Sequence, residues 1–153
     1  MQFWYDFLKV FLAKVTATVM MTIFSYTMSR IRGKDFKEPE IINHLLRPIK
    51  FLKIENDKIF LGGWALHFFT GVIFVTAYHF IWANNYYGST FLSACELGGA
   101  TGIIWLIVWT LIFKFHRDPP KVKLKQFYVQ IFFSHIVFAI GAWLGYHLPD
   151  WFH

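Results

Sequence analysis

Four histidines in two apolar stretches are the residues of this chain best suited to chemistry. His67 and His79 lie twelve residues apart in one stretch, and His135 and His147 lie twelve residues apart in another. Imidazole takes up and releases protons near neutral pH and is the commonest metal ligand in proteins. These four histidines are therefore candidate ligands of a metal ion or a haem, and His79 and His147 are also candidates for handling protons.

The sequence around these histidines repeats itself, which predicts a duplicated helical hairpin. The two copies would run in the same direction and bring their histidines to equal depths in a membrane. A small residue one turn beyond each inner histidine would let a neighbouring helix approach, so that the imidazole could also simply join two helices. The matched pairs are His67 and His135, Gly71 and Ala139, Tyr78 and Tyr146, and His79 and His147.

Haem b is one cofactor that four histidines on two parallel helices could bind, as in di-haem membrane cytochromes. Positions twelve apart on a straight helix differ by about 120° in direction, so both ligands of one helix could not serve unless a π-bulge restored the register. A divalent metal ion is the other candidate cofactor. For His79 and His147, which follow Tyr78 and Tyr146, a position at the membrane interface is a further interpretation.

Two charged residues within apolar stretches form a second candidate group. Lys14 and Glu96 are costly inside a membrane, and counting along the helices places them at similar depths. We expect them to form an ion pair, which either only joins two spans or completes a polar cluster with His79 and His147. Such a cluster would handle protons or a divalent cation.

Polar and small residues at helical spacings predict how the helices pack. Thr18 and Thr22 extend a polar stripe from Lys14, and we expect the stripe to face the bundle interior. Small residues four apart let helices approach closely inside a membrane. They are Ala94, Gly98 and Gly102 in one stretch and Gly141 and Gly145 in another.

Four apolar stretches must position these residues, at 7–28, 59–83, 91–113 and 126–148. Each is long enough to cross a hydrocarbon core about 30 Å thick. The chain is also 56% hydrophobic and 22% aromatic, well above soluble domains. Because the stretches lack the alternation of a barrel, they predict an all-α integral membrane four-helix bundle, a single membrane domain over residues 1–153.

The net charge of +6 is concentrated in two loops, which makes it a signal of topology. Eight of the 15 Lys and Arg residues lie in 30–58 and five in 114–125, whereas 84–90 has none. The positive-inside rule makes both basic loops cytoplasmic and places 84–90 and both termini outside a bacterial inner membrane. We expect membrane lipids as partners, especially anionic ones, and no nucleic acid.

The first basic loop contains a segment of its own. Residues 40–55 carry apolar side chains at helical spacings with basic residues between them. This pattern predicts a cytoplasmic amphipathic segment that lies in the membrane interface and bends near Pro48.

The repeated segments GGWALHFFTGVIFVTAY and FFSHIVFAIGAWLGY also carry a family resemblance. Their His-x-x-x-Gly and terminal Tyr pattern resembles that of small four-span bacterial inner-membrane proteins of unknown function, related to an acid-resistance-associated family. The resemblance covers the four spans and implies a helical inner-membrane bundle with no established chemistry. The chain departs from the pattern at Ala139, which replaces a Gly, and in its long basic first loop.

Three functions agree with these features. The first is proton- or metal-ion-linked transport or a response to pH, carried by the His, Glu and Lys cluster. The second is electron transfer by a haem-binding membrane protein. The third is a structural or assembly subunit with a membrane-protein partner or a second copy of itself. We do not expect an enzyme, because no nucleophile and base occur together in a local motif.

Overall fold

The protein is built from α-helices that lie side by side. The computed structural model describes residues 2–32, 38–46 and 56–151. Within these ranges all the helices except the second are long and apolar enough to cross a membrane. The predicted all-α bundle is thus confirmed, and the chain is a multi-pass membrane protein whose exposed apolar side chains contact lipid. The helices are α1 (Gln2–Arg32), α2 (Glu38–Leu46), α3 (Asn56–Ala83), α4 (Phe91–Phe115) and α5 (Leu124–Trp151).

The turn between α3 and α4 has a defined geometry. Asn85 has a φ of 55°, a left-handed conformation that asparagine adopts more readily than most residues. Thr90 then caps α4: its side chain accepts a hydrogen bond from the backbone N–H of Ser93, and the Ser93 hydroxyl accepts one from the N–H of Thr90. This capping box satisfies backbone donors at the helix start and fixes the position of the turn at 84–90.

The central helix is α5, because α1 and α4 both pack along it. Its glycines and those of α4 make close approach possible. A Cβ atom on Gly98 would lie 2.7 Å from Cα of Ile136, and one on Gly141 would lie 2.8 Å from Cα of Ala17. Real Cβ contacts are not this short, so the small residues set the distances between these helices. The predicted small-residue faces are confirmed.

The short helix α2 packs on the bundle itself. Ile41 and Leu45 are buried against a cluster that includes Trp109 and Phe127. The sequence predicted an amphipathic segment over 40–55 in the membrane interface. In the part that the structure describes, this segment is a helix that packs on the bundle, and its position relative to the membrane stays a prediction. The apolar face of α2 covers this end of the bundle because α4 and α5 present aromatic side chains there. Pro48 and its predicted bend lie outside the described residues.

Candidate functional site

A polar cluster ties the beginning of α1 to the end of α5. Asp150 accepts hydrogen bonds from the Tyr5 hydroxyl and from Lys9 Nζ, the second at 3.0 Å. Nδ1 of His147 lies 3.2 Å from Oδ2 of the same carboxylate. The Lys9 ammonium also lies 4.9 Å from the ring centre of Tyr146. We call these five residues the terminal cluster.

His147 also connects the terminal cluster to the turn between α3 and α4. Its Nε2 atom lies 3.1 Å from the backbone oxygen of Ser89, which accepts a further hydrogen bond from the Trp143 indole at 3.1 Å. A carbonyl oxygen and a carboxylate can only accept hydrogen bonds, whereas neutral imidazole has a single N–H to donate. Only the imidazolium form of His147 can therefore donate both to Ser89 and to Asp150.

The third connection runs from α3. Nδ1 of His79 lies 3.1 Å from the hydroxyl of Tyr146, and the two rings are 5.7 Å apart. Trp82, one turn further along α3, packs against the same tyrosine with a ring separation of 5.1 Å. Two of the predicted polar residues, His79 and His147, thus meet through Tyr146.

The other two predicted members of that polar group lie elsewhere. Lys14 points into a groove between α1 and α3, where its Nζ lies 4.9 Å from the ring centre of Phe68 and where Thr18 and Thr22 also line the wall. Glu96 is exposed on α4. Because α1 and α4 each pack on α5 rather than on each other, the expected ion pair between Lys14 and Glu96 does not form. The prediction was wrong because it considered only the depth of the two residues and not which faces of α1 and α4 contact other helices.

The polar stripe on α1 is confirmed only in part. Thr18 is buried and donates its hydroxyl to the backbone oxygen of Lys14 at 2.9 Å, and Ser25 is buried beside Ser134 of α5. Thr22 is half-buried in the groove beside Lys14. The stripe therefore faces the interior at some positions and the groove between α1 and α3 at others.

The inner histidines form a separate site in the middle of the bundle. His67 and His135 line one cavity of about 20 Å³, which is room for about one water molecule. Nδ1 of His135 lies 2.9 Å from the Ile131 backbone oxygen, so this nitrogen donates and Nε2 carries the lone pair. The repeat predicted that these two histidines share a depth, and the shared cavity agrees with it.

The space between the inner histidines does not fit a haem. A cavity of about 20 Å³ is far smaller than a macrocycle, and α3 and α5 are continuous α-helices without the π-bulge that haem ligation by both histidines of a helix would require. Among the described residues, no three His, Cys, Asp or Glu side chains are grouped as metal ligands.

The remaining supporting residues have structural contacts. The buried Tyr78 hydroxyl lies 2.8 Å from the Thr101 hydroxyl, so the two repeated tyrosines have different partners. A Cβ atom on Gly71 would lie 3.5 Å from the Phe138 ring, which is ordinary contact. Gly71 is therefore not required for close approach, in agreement with an alanine, Ala139, at the matching position.

Sequence reasoning missed Tyr5, Lys9 and Asp150. The available signal was the spacing of His147 and Asp150, which are neighbours on one helix face at three residues apart. Lys9 was the matching signal on α1, because a cation near the start of a span has a partner or a functional role.

The fold defines the class of protein, a multi-pass membrane protein with four candidate spans among the described residues. No protein-family model, curated protein or solved structure matches the chain.

Proposed function

We propose that the protein responds to pH on the side of the membrane where the terminal cluster lies. The observation that carries this proposal is the position of His147 between two hydrogen-bond acceptors, Asp150 and the Ser89 carbonyl. Histidine is the side chain that most readily changes its charge between about pH 5 and 8. Because His147 can make both hydrogen bonds only when it is protonated, we expect the contact between α5 and the 84–90 turn to depend on pH.

The direction of the response follows from proton binding. In acid, the His147 imidazolium donates to both oxygens and holds the 84–90 turn against the end of α5. When the ring loses its proton, one nitrogen presents a lone pair to an oxygen lone pair, and one of the two contacts is lost. Because both contacts together require the protonated ring, a fall in pH favours the clamp.

Other charged and titratable groups surround this histidine. Lys9 and Tyr5 reach Asp150 from α1, and Tyr146 lies under the Lys9 ammonium. Asp6, next to Tyr5 in the chain, adds a second acidic residue at this end of α1. Because a hydrogen bond to a carboxylate is stronger than one to a neutral carbonyl, the single N–H of the neutral ring stays with Asp150. The contact between His147 and Ser89 is therefore the one we expect to open first.

The sequence supports the setting of this proposal in two ways. The positive-inside rule predicts that the basic loops lie in the cytoplasm and the terminal cluster outside a bacterial inner membrane. The resemblance to an acid-resistance-associated family stays a prediction. It agrees with a protein whose 84–90 turn is held against α5 in acid. Proton-linked transport would need a path from the terminal cluster to the inner histidines, whereas a pH response needs only the contacts of His147.

A spin label in the turn tests the proposal. Tyr87 is exposed two residues before Ser89, so Tyr87→Cys in a Cys95→Ala background provides one labelling site. In lipid nanodiscs we expect the nitroxide to be more restricted at about pH 5 than at about pH 8. His147→Gln, which does not titrate, should remove this difference.

Glu96→Gln provides the control, because it also removes a titratable side chain but at an exposed position on α4 outside the terminal cluster. The spin label at residue 87 should show the same pH dependence in the Glu96→Gln variant as in the parent protein. A parent spectrum that does not change with pH, or a His147→Gln spectrum that changes as the parent does, would contradict the proposal.

A further inference from the structure

An apolar groove lies between α3 and α4 at the opposite end of the bundle from the terminal cluster. Its volume is about 330 Å³, within the range of about 300 to 1,000 Å³ that is typical of ligand sites. The groove exists because α3 and α4 make little direct contact and α2 covers one side. Its walls include Leu45 and Leu46 of α2, Leu66 of α3, and Val108, Trp109 and Ile112 of α4.

One wall of the groove contains a hydrogen-bond donor that lacks an acceptor. Trp109 is 2% exposed, and its indole Nε1 has no hydrogen-bond partner among the described residues. A buried indole N–H usually finds an acceptor, because leaving the donor unpaired destabilises the fold. An occupant that brings an oxygen acceptor to this level of the groove would satisfy it.

The end of the groove at His116 lies beside a basic part of the chain. His116 lines the groove, and both ring nitrogens are already used: Nδ1 accepts from the Asp118 N–H and Nε2 donates to the Leu45 carbonyl. Around it in the chain, Lys114 and Arg117 are exposed cations and Asp118 is an exposed carboxylate, so the cations are in excess. Basic side chains at this level of a membrane attract anionic lipid headgroups.

The distances along α4 match the layers of a phospholipid. Trp109 lies six residues before the end of α4 at Phe115, which is about 9 Å along the helix. The headgroup layer on each side of a bilayer is roughly 5 to 8 Å thick. With Phe115 placed at the outer edge of the headgroup layer, Trp109 lies near the boundary between headgroups and acyl chains, where the ester carbonyls of a phospholipid are found.

We infer that this groove holds one anionic phospholipid, with an acyl chain between α3 and α4, an ester carbonyl accepting from Trp109 and the phosphate near Lys114 and Arg117. The lipid comes from the leaflet on the side of the basic loops. Its acyl chain replaces the missing contacts between α3 and α4, and its carbonyl supplies the missing acceptor. The inference is independent of the proposed pH response, which belongs to the other end of the bundle.

Native mass spectrometry tests this site. The full chain is reconstituted in phosphatidylcholine nanodiscs that contain a minor fraction of phosphatidylglycerol and is then released in mild detergent. We expect one phosphatidylglycerol to remain bound. Trp109→Phe keeps the ring but removes the donor, and should lower lipid retention about five- to tenfold. Arg117→Gln should reduce the preference for phosphatidylglycerol over phosphatidylcholine.

Trp82→Phe is the matched control, since Trp82 is also buried with an indole nitrogen that has no partner among the described residues, but it packs on Tyr146 and not in the groove. It should retain lipid as the parent does. Leu66→Trp adds a second variant that obstructs the groove from a half-exposed position, should Trp109→Phe not fold. Three results would overturn the inference: no retained lipid, equal retention by Trp109→Phe and Trp82→Phe, or an occupant other than a phospholipid.

Discussion

Asp150 is the residue on which the terminal cluster depends, because it accepts from Tyr5, Lys9 and His147. Its position three residues after His147 places both side chains on the same face of α5. Lys9 approaches from α1 with its ammonium 3.0 Å from each carboxylate oxygen. The carboxylate therefore connects two helices and also orients the histidine that we propose to titrate.

The ion pair between Lys9 and Asp150 should show a measurable but small coupling. A double-mutant cycle with Lys9→Met and Asp150→Asn should give a coupling below about 1 kcal/mol in the free energy of unfolding, because the pair is partly exposed to solvent. Unfolding in mixed micelles measures it, and added salt should reduce the coupling.

Lys14→Met paired with Asp150→Asn is the control cycle. Lys14 lies over Phe68 in the groove between α1 and α3, so the two changes should be additive. A coupling as large for Lys14 as for Lys9 would mean that Asp150 responds to the net charge of α1 and not to a specific partner.

At the level of single residues, the sequence indicated where polar groups meet better than it indicated the contacts that they make. The repeat brought out His79 and His147, and both lie in or beside the terminal cluster. It could not separate Lys9 from Lys14 as the cation, because the two residues differ mainly in the side of α1 that they occupy. The side that faces α5 is set by tertiary packing, which periodicity alone does not specify for helices that are apolar almost all round.

At the scale of the helices, the close contact between α4 and α5 requires a glycine at residue 98 but not at residue 99. A Cβ atom on Gly98 would lie 2.8 Å from the backbone oxygen of His135, whereas one on Gly99 would lie 4.0 Å from the nearest atom, on Phe132. The first atom belongs to the backbone of the central helix and cannot move without displacing it.

We predict that Gly98→Ala lowers the free energy of unfolding by about 1 to 3 kcal/mol relative to Gly99→Ala, because overpacking a well-packed contact has a cost of this size. Both substitutions gain the same helix propensity, so the comparison removes that contribution. Unfolding of both variants in parallel measures the difference. Equal stability of the two variants would show that α4 and α5 pack less closely than the structure indicates.

The helices themselves were largely predictable, but their limits and the role of α2 were not. Hydropathy placed the first span at 7–28, whereas α1 begins at Gln2, and α5 extends to Trp151 beyond the predicted 148. The additional turns carry Tyr5 and Asp150, polar residues that lower hydropathy but stabilise the helix ends through contacts with each other. For α2, the amphipathic pattern showed an apolar face but could not show whether lipid or protein covers it.

For the whole molecule, the four-helix membrane bundle followed from composition and span length alone, because lipid permits few ways to satisfy the backbone. The arrangement of the helices did not, since every span has enough small or apolar residues to pack on several neighbours. Only the structure shows that α5 is the helix on which α1 and α4 pack.

The orientation of the bundle in the membrane stays a prediction. Cysteines placed at Tyr87 and at Lys121, in a Cys95→Ala background, should react with a membrane-impermeant reagent from opposite sides of intact cells. We expect labelling at residue 87 from outside and at residue 121 only after the cells are opened, because the cations cluster in the loops. The reverse pattern would place the terminal cluster in the cytoplasm and change which compartment the proposed pH response reports.

The central position of α5 has a consequence for how the protein is made. Translation proceeds from α1 to α5, so α1 and α4 enter the membrane before the helix on which both of them pack exists. The contact between Thr16 and Gly141, at 2.7 Å, joins residues that are synthesised 125 positions apart. Until α5 arrives, the close-packing surfaces of α1 and α4 face lipid or the insertion machinery. Chains whose synthesis stops before residue 124 should therefore be bound by membrane chaperones or degraded, although four of the five helices have already been made.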